Sequence, residues 1–152
     1  EAFEACEGMG VNVEVKHLPS EPDHEDVHLV CDAVAGLSAA YRPPELLLVS
    51  SFDIAAVDQI RQTDATLPTG WVVVERYTAD LILERTLAHG HGTVCPWDGL
   101  VDENLVRHAH DRGLRVVVWT VDDPQRMAEL AGWGVDGIIS NDPSLLRQVL
   151  DA

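Results

Sequence analysis

The sequence predicts an α/β fold built on a parallel sheet. Six β-type segments alternate with helix-type segments along 152 residues, with no linker and no low-complexity stretch. Several of the β-type segments are continuous apolar runs rather than alternations, the pattern of strands covered on both faces. A doubly wound sheet and a (β/α) barrel both satisfy this order. No Gly-x-Gly-x-x-Gly turn follows any strand, which weakens a dinucleotide-binding reading.

The elements follow in order. Residues 1–9 read as the tail of a helix ending near Gly8, with no start signal before it. Strands are expected at 11–16, 46–51, 71–75, 93–95, 115–120 and 136–139. A helix over 24–40 places Val27, Val30, Cys31, Val34 and Leu37 on one face, and Tyr41-Arg42-Pro43-Pro44 stops it. Asp53 caps a helix over 54–63, and helices over 79–88 and 102–112 follow, the latter stopped by Gly113. Asp123-Pro124 and Asp142-Pro143 each pair a cap with a first-turn proline, opening the last two helices. Residues 1–152 are therefore read as one partial (β/α) barrel domain. A complete barrel needs about 250 residues, so the chain is expected to be the C-terminal part of something longer, beginning in the second helix.

Charge and composition exclude several function classes. The net charge is −16, from 26 acidic and 10 basic residues. Such a surface repels nucleic acid and anionic membranes. An anionic ligand would need a local cation, either a metal or a well-placed Lys or Arg. No apolar run reaches the length of a membrane span, so no stable membrane anchor is expected in this chain. Cys6, Cys31 and Cys95 share no metal-ligand spacing. They suit a reducing compartment as small apolar residues, and a cytoplasmic location is the expectation.

The chemistry-bearing motif is Val11-Asn12-Val13-Glu14-Val15-Lys16. On an extended strand Glu14 and Lys16 point one way and the three valines the other. A carboxylate beside an ammonium at the carboxyl end of a parallel strand suits a site for a metal and a phosphate. The bland alternative is a solvated rim in which Lys16 pairs with Glu14 and favours its charged form.

Four segments in order resemble the glycerophosphodiester phosphodiesterase family: Val13-Glu14-Val15-Lys16, Val49-Ser50-Ser51-Phe52-Asp53, Val117-Val118-Trp119-Thr120-Val121-Asp122, and Gly134-Val135-Asp136-Gly137-Ile138-Ile139-Ser140-Asn141-Asp142-Pro143. His108-Ala109-His110-Asp111-Arg112-Gly113-Leu114 is also similar to that family. The resemblance implies a TIM barrel, here an incomplete one whose six parallel strands are the third to the eighth. It implies a divalent metal, Ca2+ or Mg2+, and hydrolysis of glycerophosphodiesters to glycerol 3-phosphate and an alcohol. It further implies that Glu14 is a metal ligand, that Lys16 meets the phosphate, and that Phe52 and Trp119 lie near the glycerol end of the substrate. The family's His-Arg-Gly motif and its Glu-x-Asp motif, each associated with a catalytic histidine, have no match here, and none of the seven histidines fits those positions. Asp122 stands where asparagine is common, and Ser140-Asn141-Asp142 where Thr-Asp is common. Those departures bear on fine substrate preference.

Each candidate has a structural alternative. Phe52 either lines a pocket or plugs the barrel top. Trp119 either packs on substrate carbons or is a core ring with its indole N–H on backbone. Ser50 and Ser51 are rejected as nucleophiles, since no Gly-x-Ser-x-Gly elbow surrounds them. His89-Gly90-His91 reads as a helix stop with exposed imidazoles rather than a metal site. His108 and His110 read as surface residues of an outer helix. His24 and His28 have zinc-compatible spacing, but Glu21, Asp23, Glu25 and Asp26 make an acidic helix start the better reading. Glu75 closes its strand at the upper rim and is left outside the site.

The expected activity therefore belongs to a longer enzyme acting on a small glycerophosphodiester, with its acid–base histidines outside this chain and the fragment itself inactive. The alternatives are another phosphate-handling (β/α) barrel enzyme, or a non-catalytic barrel domain. The strands at 11–16 and 136–139 are expected to be unpaired apolar edges and an aggregation liability.

Overall fold

Residues 2–16, 27–41 and 43–151 are described by a computed structural model. The helix start expected at 24–26, the acidic residues 21–26, His24, Arg42 and the side chain of His28 lie outside the described residues. The chain divides into two compact units, Glu1–Val72 and Val73–Ala152.

The first unit holds α1 (Ala2–Ala5), β1 (Val11–Glu14), α2 (Val27–Tyr41), β2 (Leu47–Ser51), α3 (Ile54–Thr63) and β3 (Thr69–Val73), whose last residue crosses the boundary. Its strands run parallel in the order β1, β2, β3. Val11 pairs with Leu47 and Glu14 with Ser50, while Val49 pairs with Thr69. The core lies on the helix side, where Val15, Leu47 and Val49 meet Cys31 and Ala35 of α2, Ala56 and Ile60 of α3, and Leu67. Val11 and Val13 pack on this cluster while Asn12, Glu14 and Lys16 are exposed, so the alternation read from the sequence holds. Asp32 ties α2 to α3 by accepting from the Thr63 hydroxyl at 2.7 Å and from Gln59 at 3.3 Å.

The face of α2 differs from expectation. Cys31, Ala35 and Ser38 are buried and Val34 half-buried, but Val30 and Leu37 are exposed. A stripe of 3.6 spacing is broad, and packing on a narrow sheet covers only one flank of it. Cys31 is a small buried side chain whose thiol donates to the Ala56 carbonyl at 3.4 Å. Burial, then the carboxylates of Asp32 and Asp53, push its pKa up to about 11, which leaves it an inert core thiol.

The second unit holds α4 (Ala79–Ala88), β4 (Thr93–Pro96), α5 (Glu103–Asp111), β5 (Arg115–Val118), α6 (Pro124–Trp133), β6 (Gly137–Ile138) and α7 (Pro143–Leu150). Its strands also run parallel, in the order β4, β5, β6. The buried faces are Ile82 and Leu83 of α4, Leu105, Val106 and Ala109 of α5, and Met127 and Leu130 of α6, with Val94, Val116 and Val118 from the strands. At the amino ends of β5 and β6, Asp136 binds reciprocally to Val116. Its backbone N–H donates to the Val116 carbonyl, and its carboxylate accepts from the Val116 N–H at 2.8 Å and contacts His110 at 3.0 Å.

Local signals account for the helix ends. The carboxylates of Asp53, Asp102, Asp123 and Asp142 and the Thr78 hydroxyl each accept from a first-turn N–H. Gly113 follows α5 at φ 75°, a conformation that side-chain-bearing residues avoid.

Strand bounds differ at several ends. β1 stops at Glu14, although the Val15 N–H still donates to the Ser50 carbonyl at 2.8 Å. β3 begins earlier than expected, because pairing with β2 draws Thr69 and Gly70 into the ladder, and it ends at Val73. Glu75 therefore lies beyond the strand and is exposed. Strands β2, β3 and β4 are buried on nearly every residue, as continuous apolar runs predict, whereas β1 and β6 are only half-buried. β1 stands at one end of the first unit's strand order and β6 at one end of the second's. The exposed groups of β1 are Asn12 and Glu14, so that strand is a polar edge and not the apolar edge expected.

Candidate functional site

In the first unit the candidate residues gather at the carboxyl ends of β1 and β2. The register sets Glu14 beside Ser50 and, carried two residues further, Lys16 level with Phe52. Glu14 and Ser50 lie on the side of the strand pair opposite the valine core, and Lys16 and Phe52 follow just beyond the strand ends. Glu14 and Lys16 are exposed, Ser50 is buried and Phe52 half-buried. The Ser50 hydroxyl donates to the Asn12 side-chain oxygen at 3.0 Å, next to Glu14. The pairing of Glu14 with Lys16 is not made, since among the described residues no ion pair or hydrogen bond joins them. Two residues along a strand separate their Cα atoms by roughly 6.6 Å, and β1 has already ended at Glu14. Both charged heads are thus left available to a ligand.

The backbone beneath them is pinned. The Ser51 hydroxyl donates to the Val15 carbonyl at 2.7 Å and accepts from the Asp53 N–H at 3.1 Å. The Trp71 indole donates to the Phe52 carbonyl at 3.2 Å. Ser50 and Ser51 are both buried, and each hydroxyl donates a hydrogen bond.

In the second unit Trp119 follows β5 and bridges to Trp97. Its indole donates to the Cys95 carbonyl at 2.7 Å, its N–H to the Pro96 carbonyl at 3.3 Å, and its carbonyl accepts from Asp98 N–H at 2.8 Å. The ring is half-buried, so the backbone bond fixes it while leaving part of its surface open. Arg126 braces the neighbouring turn. It donates to the Asp98 carboxylate at 2.7 Å, to the Val101 carbonyl at 2.8 Å and to Glu129, and lies 4.8 Å over the Trp133 ring. Burial opposes its charge, but hydrogen bonds with Glu129 and Asp98 outweigh it and hold its pKa above the ordinary value.

The residues of this chain match the model of the glycerophosphoryl diester phosphodiesterase family over residues 1–145. The chain belongs to the glycerophosphoryl diester phosphodiesterase family. A Bacillus subtilis glycerophosphodiester phosphodiesterase is 26% identical over 140 residues, covering 90% of this chain and 47% of the relative. A Silicibacter pomeroyi protein that carries the family's description superimposes with a TM-score of 0.85 at 27% identity, over 99% of this chain and 54% of that one. An Oleispira antarctica phosphodiesterase, solved in complex with the product sn-glycerol-3-phosphate, gives 0.82 at 22% identity, over 99% of this chain and 60% of that one. The chain thus spans about half the length of these relatives. Six parallel strands alternating with helices are the α/β fold of the phosphodiesterase family's (β/α) barrels, as the sequence predicts.

Within the phosphodiesterase-family frame, some residues fall elsewhere than expected. His89 and His91 stack with ring centroids 6.2 Å apart, and His91 is buried at 2% exposure, not exposed. Gly90, at φ 77°, turns the chain back so that the His91 N–H meets the Thr86 carbonyl at 3.1 Å, which carries the imidazole inward. His110 is exposed and faces Asp136, and His108 is half-buried on the same helix. Sequence reasoning missed the brace made by Asp122. Its carboxylate accepts from the Ser140 hydroxyl at 2.9 Å, the Asn141 N–H at 2.8 Å and the Asn141 side-chain amide at 2.8 Å. The signal was there, because both partners are positions where this sequence departs from the family pattern.

Proposed function

We propose that this chain forms part of a longer, metal-dependent enzyme that hydrolyses glycerophosphodiesters to glycerol 3-phosphate and an alcohol. The carrying observation is the match to the family model over residues 1–145, and Glu14, Lys16 and Phe52 near the carboxyl ends of β1 and β2 support the reading. In this reading Glu14 binds the metal and Lys16 gives a point charge to a phosphate oxygen. Phe52 and Trp119 each offer an apolar ring to substrate carbons. The acid–base histidines lie outside this chain.

The donor set suits a divalent cation in part. Glu14 has an exposed carboxylate, and the Asn12 amide oxygen lies on the same side of the strand. Oxygen donors suit a hard cation such as Ca2+ or Mg2+, and one carboxylate is too few to hold it alone, since Ca2+ takes six to eight oxygens. When bound, the cation supplies positive charge to the phosphoryl oxygens. The chain's own part is to hold Glu14 and Lys16 on a pinned strand end. It also bears the half-buried rings of Phe52 and Trp119, which are suited to excluding water from substrate carbons.

The test is release of sn-glycerol 3-phosphate from sn-glycero-3-phosphoethanolamine by the complete protein, before and after chelation and with Ca2+ or Mg2+ restored. Turnover that a chelator abolishes and either metal restores supports the reading. Turnover indifferent to chelation favours metal-free acid–base chemistry in a phosphate-handling barrel, and no turnover with retained binding of sn-glycerol 3-phosphate favours a binding domain.

A further inference from the structure

Two chain connections lie past the carboxyl ends of β5 and β6. One runs 119–123 into α6, the other 139–142 into α7. Backbone pairing joins them first, with the Ile139 N–H on the Val118 carbonyl at 2.8 Å and the Val121 N–H on the Ile139 carbonyl at 2.9 Å. Asp122 then spans the gap with three accepted hydrogen bonds, all from neutral donors on Ser140 and Asn141. The Ser140 hydroxyl accepts in turn from the Asp142 N–H at 3.0 Å, and the Asp142 carboxylate caps α7 through the Leu145 N–H at 2.9 Å. The bonds form an unbroken series from Asp122 to the first turn of α7. On its other side the 119–123 connection is fixed at Pro96 and Asp98 through the Trp119 backbone.

We infer that Asp122 is a positioning residue that sets the connection after β6, and the start of α7, against the connection carrying Trp119. In (β/α) barrels these carboxyl-end connections build the active site. Asp122 touches no reacting atom in this role. It fixes the wall on which a substrate rests, so its loss weakens binding and spares the chemical step. This consequence for binding rests on the reading under Proposed function, while the brace itself does not. A carboxylate suits the position because three donors converge on two oxygens. The side-chain hydrogen bond from Asn141, then its backbone N–H and the Ser140 hydroxyl, hold the Asp122 carboxyl below the usual carboxylate range. It therefore stays an acceptor at neutral pH. Asparagine keeps one acceptor oxygen, and its amide can donate to a flipped Asn141 side chain, so it preserves most of the brace. Alanine removes it.

The test compares the complete protein with its Asp122→Ala and Asp122→Asn variants by amide hydrogen exchange and by steady-state hydrolysis of sn-glycero-3-phosphoethanolamine. With Asp122→Ala, exchange at Asn141 and Asp142 quickens about tenfold, KM rises several-fold and kcat stays within about twofold. Asp122→Asn restores most of both. Unchanged exchange at Asn141 in the alanine variant overturns the brace. Faster exchange with an unchanged KM, or a kcat that falls alone, overturns the role in binding. If the unaltered protein shows no hydrolysis, the functional reading fails, and the exchange comparison alone still decides the brace.

Discussion

The carboxyl ends of β1–β2 and of β5–β6 are built on opposite plans. At the first, Glu14 and Lys16 are exposed and not joined to each other, and only the backbone beneath them is fixed, by Ser51 and by the Trp71 indole. At the second, nearly every polar group is committed. Trp119 is held by Cys95, Asp122 by Ser140 and Asn141, and Arg126 gathers Asp98, Val101 and Glu129. The two charges there are exposed, and among the described residues no ion pair or hydrogen bond joins them. A cross-braced end is shaped before any ligand arrives, which lowers the ordering cost of binding. The division is between an end that exposes charge in the first unit and an end that is internally set in the second.

That division predicts a ranking of effects. The largest lie in the cores that hold either end in place. Ile60→Ala in the first unit and Leu130→Ala in the second, both fully buried, each cost about 2–5 kcal/mol in urea unfolding. Next comes Glu14→Gln, which keeps the size and removes the charge. It lowers turnover of the complete protein by on the order of a hundredfold or more, at or beyond the upper end of what loss of an outer-shell partner costs, while the thermal midpoint barely moves. Arg126→Met follows. It strips charged donors from Asp98 and the Val101 carbonyl, costs about 1.5–3 kcal/mol, and loosens exchange over 97–101 without touching β1. Ser51→Ala is smaller, about 1–2 kcal/mol, since it leaves the buried Val15 carbonyl without its hydroxyl donor.

The smallest is a pH effect at Asp122. Its carboxyl titrates below the ordinary range in the folded chain, so its contribution is fully present above the unfolded value of about 3.9. That contribution fades as pH falls through the lowered folded value. Acid unfolding of the second unit, followed at the Asn141 amide, flattens over that window in Asp122→Asn. An equal acid response in the variant would remove Asp122 from the cross-braced end.

The sequence made the helix starts legible because a cap is local: Asp53, Asp123-Pro124 and Asp142-Pro143 each declare an N-terminus within four residues. The parallel class was legible for β2, β3 and β4, where burial on both faces forbids alternation. What escaped depends on distant partners. Val30 and Leu37 fit the apolar stripe of α2 as well as Cys31 does, and only packing tells the buried flank from the open one. His91 looked like a surface imidazole until Gly90 turned it inward. Arg126 finds Asp98 across 28 residues and Asp122 finds Asn141 across 19, spans on which no periodicity reports. For the site, the Glu14–Lys16 spacing predicted that both side chains avoid the valine core, and both are exposed, but their failure to pair was not readable from residue types.

Ser51 ties the end of β1 to the helix that follows β2. One hydroxyl links the Val15 carbonyl to the Asp53 N–H, and Asp53 in turn caps α3 through the Ala55 N–H at 2.9 Å. A single hydrogen-bonded series thus runs from the carbonyl that precedes Lys16 to the opening turn of α3. A displacement of Lys16 is expected to register at the Asp53 and Ala55 amides, which amide chemical shifts would read.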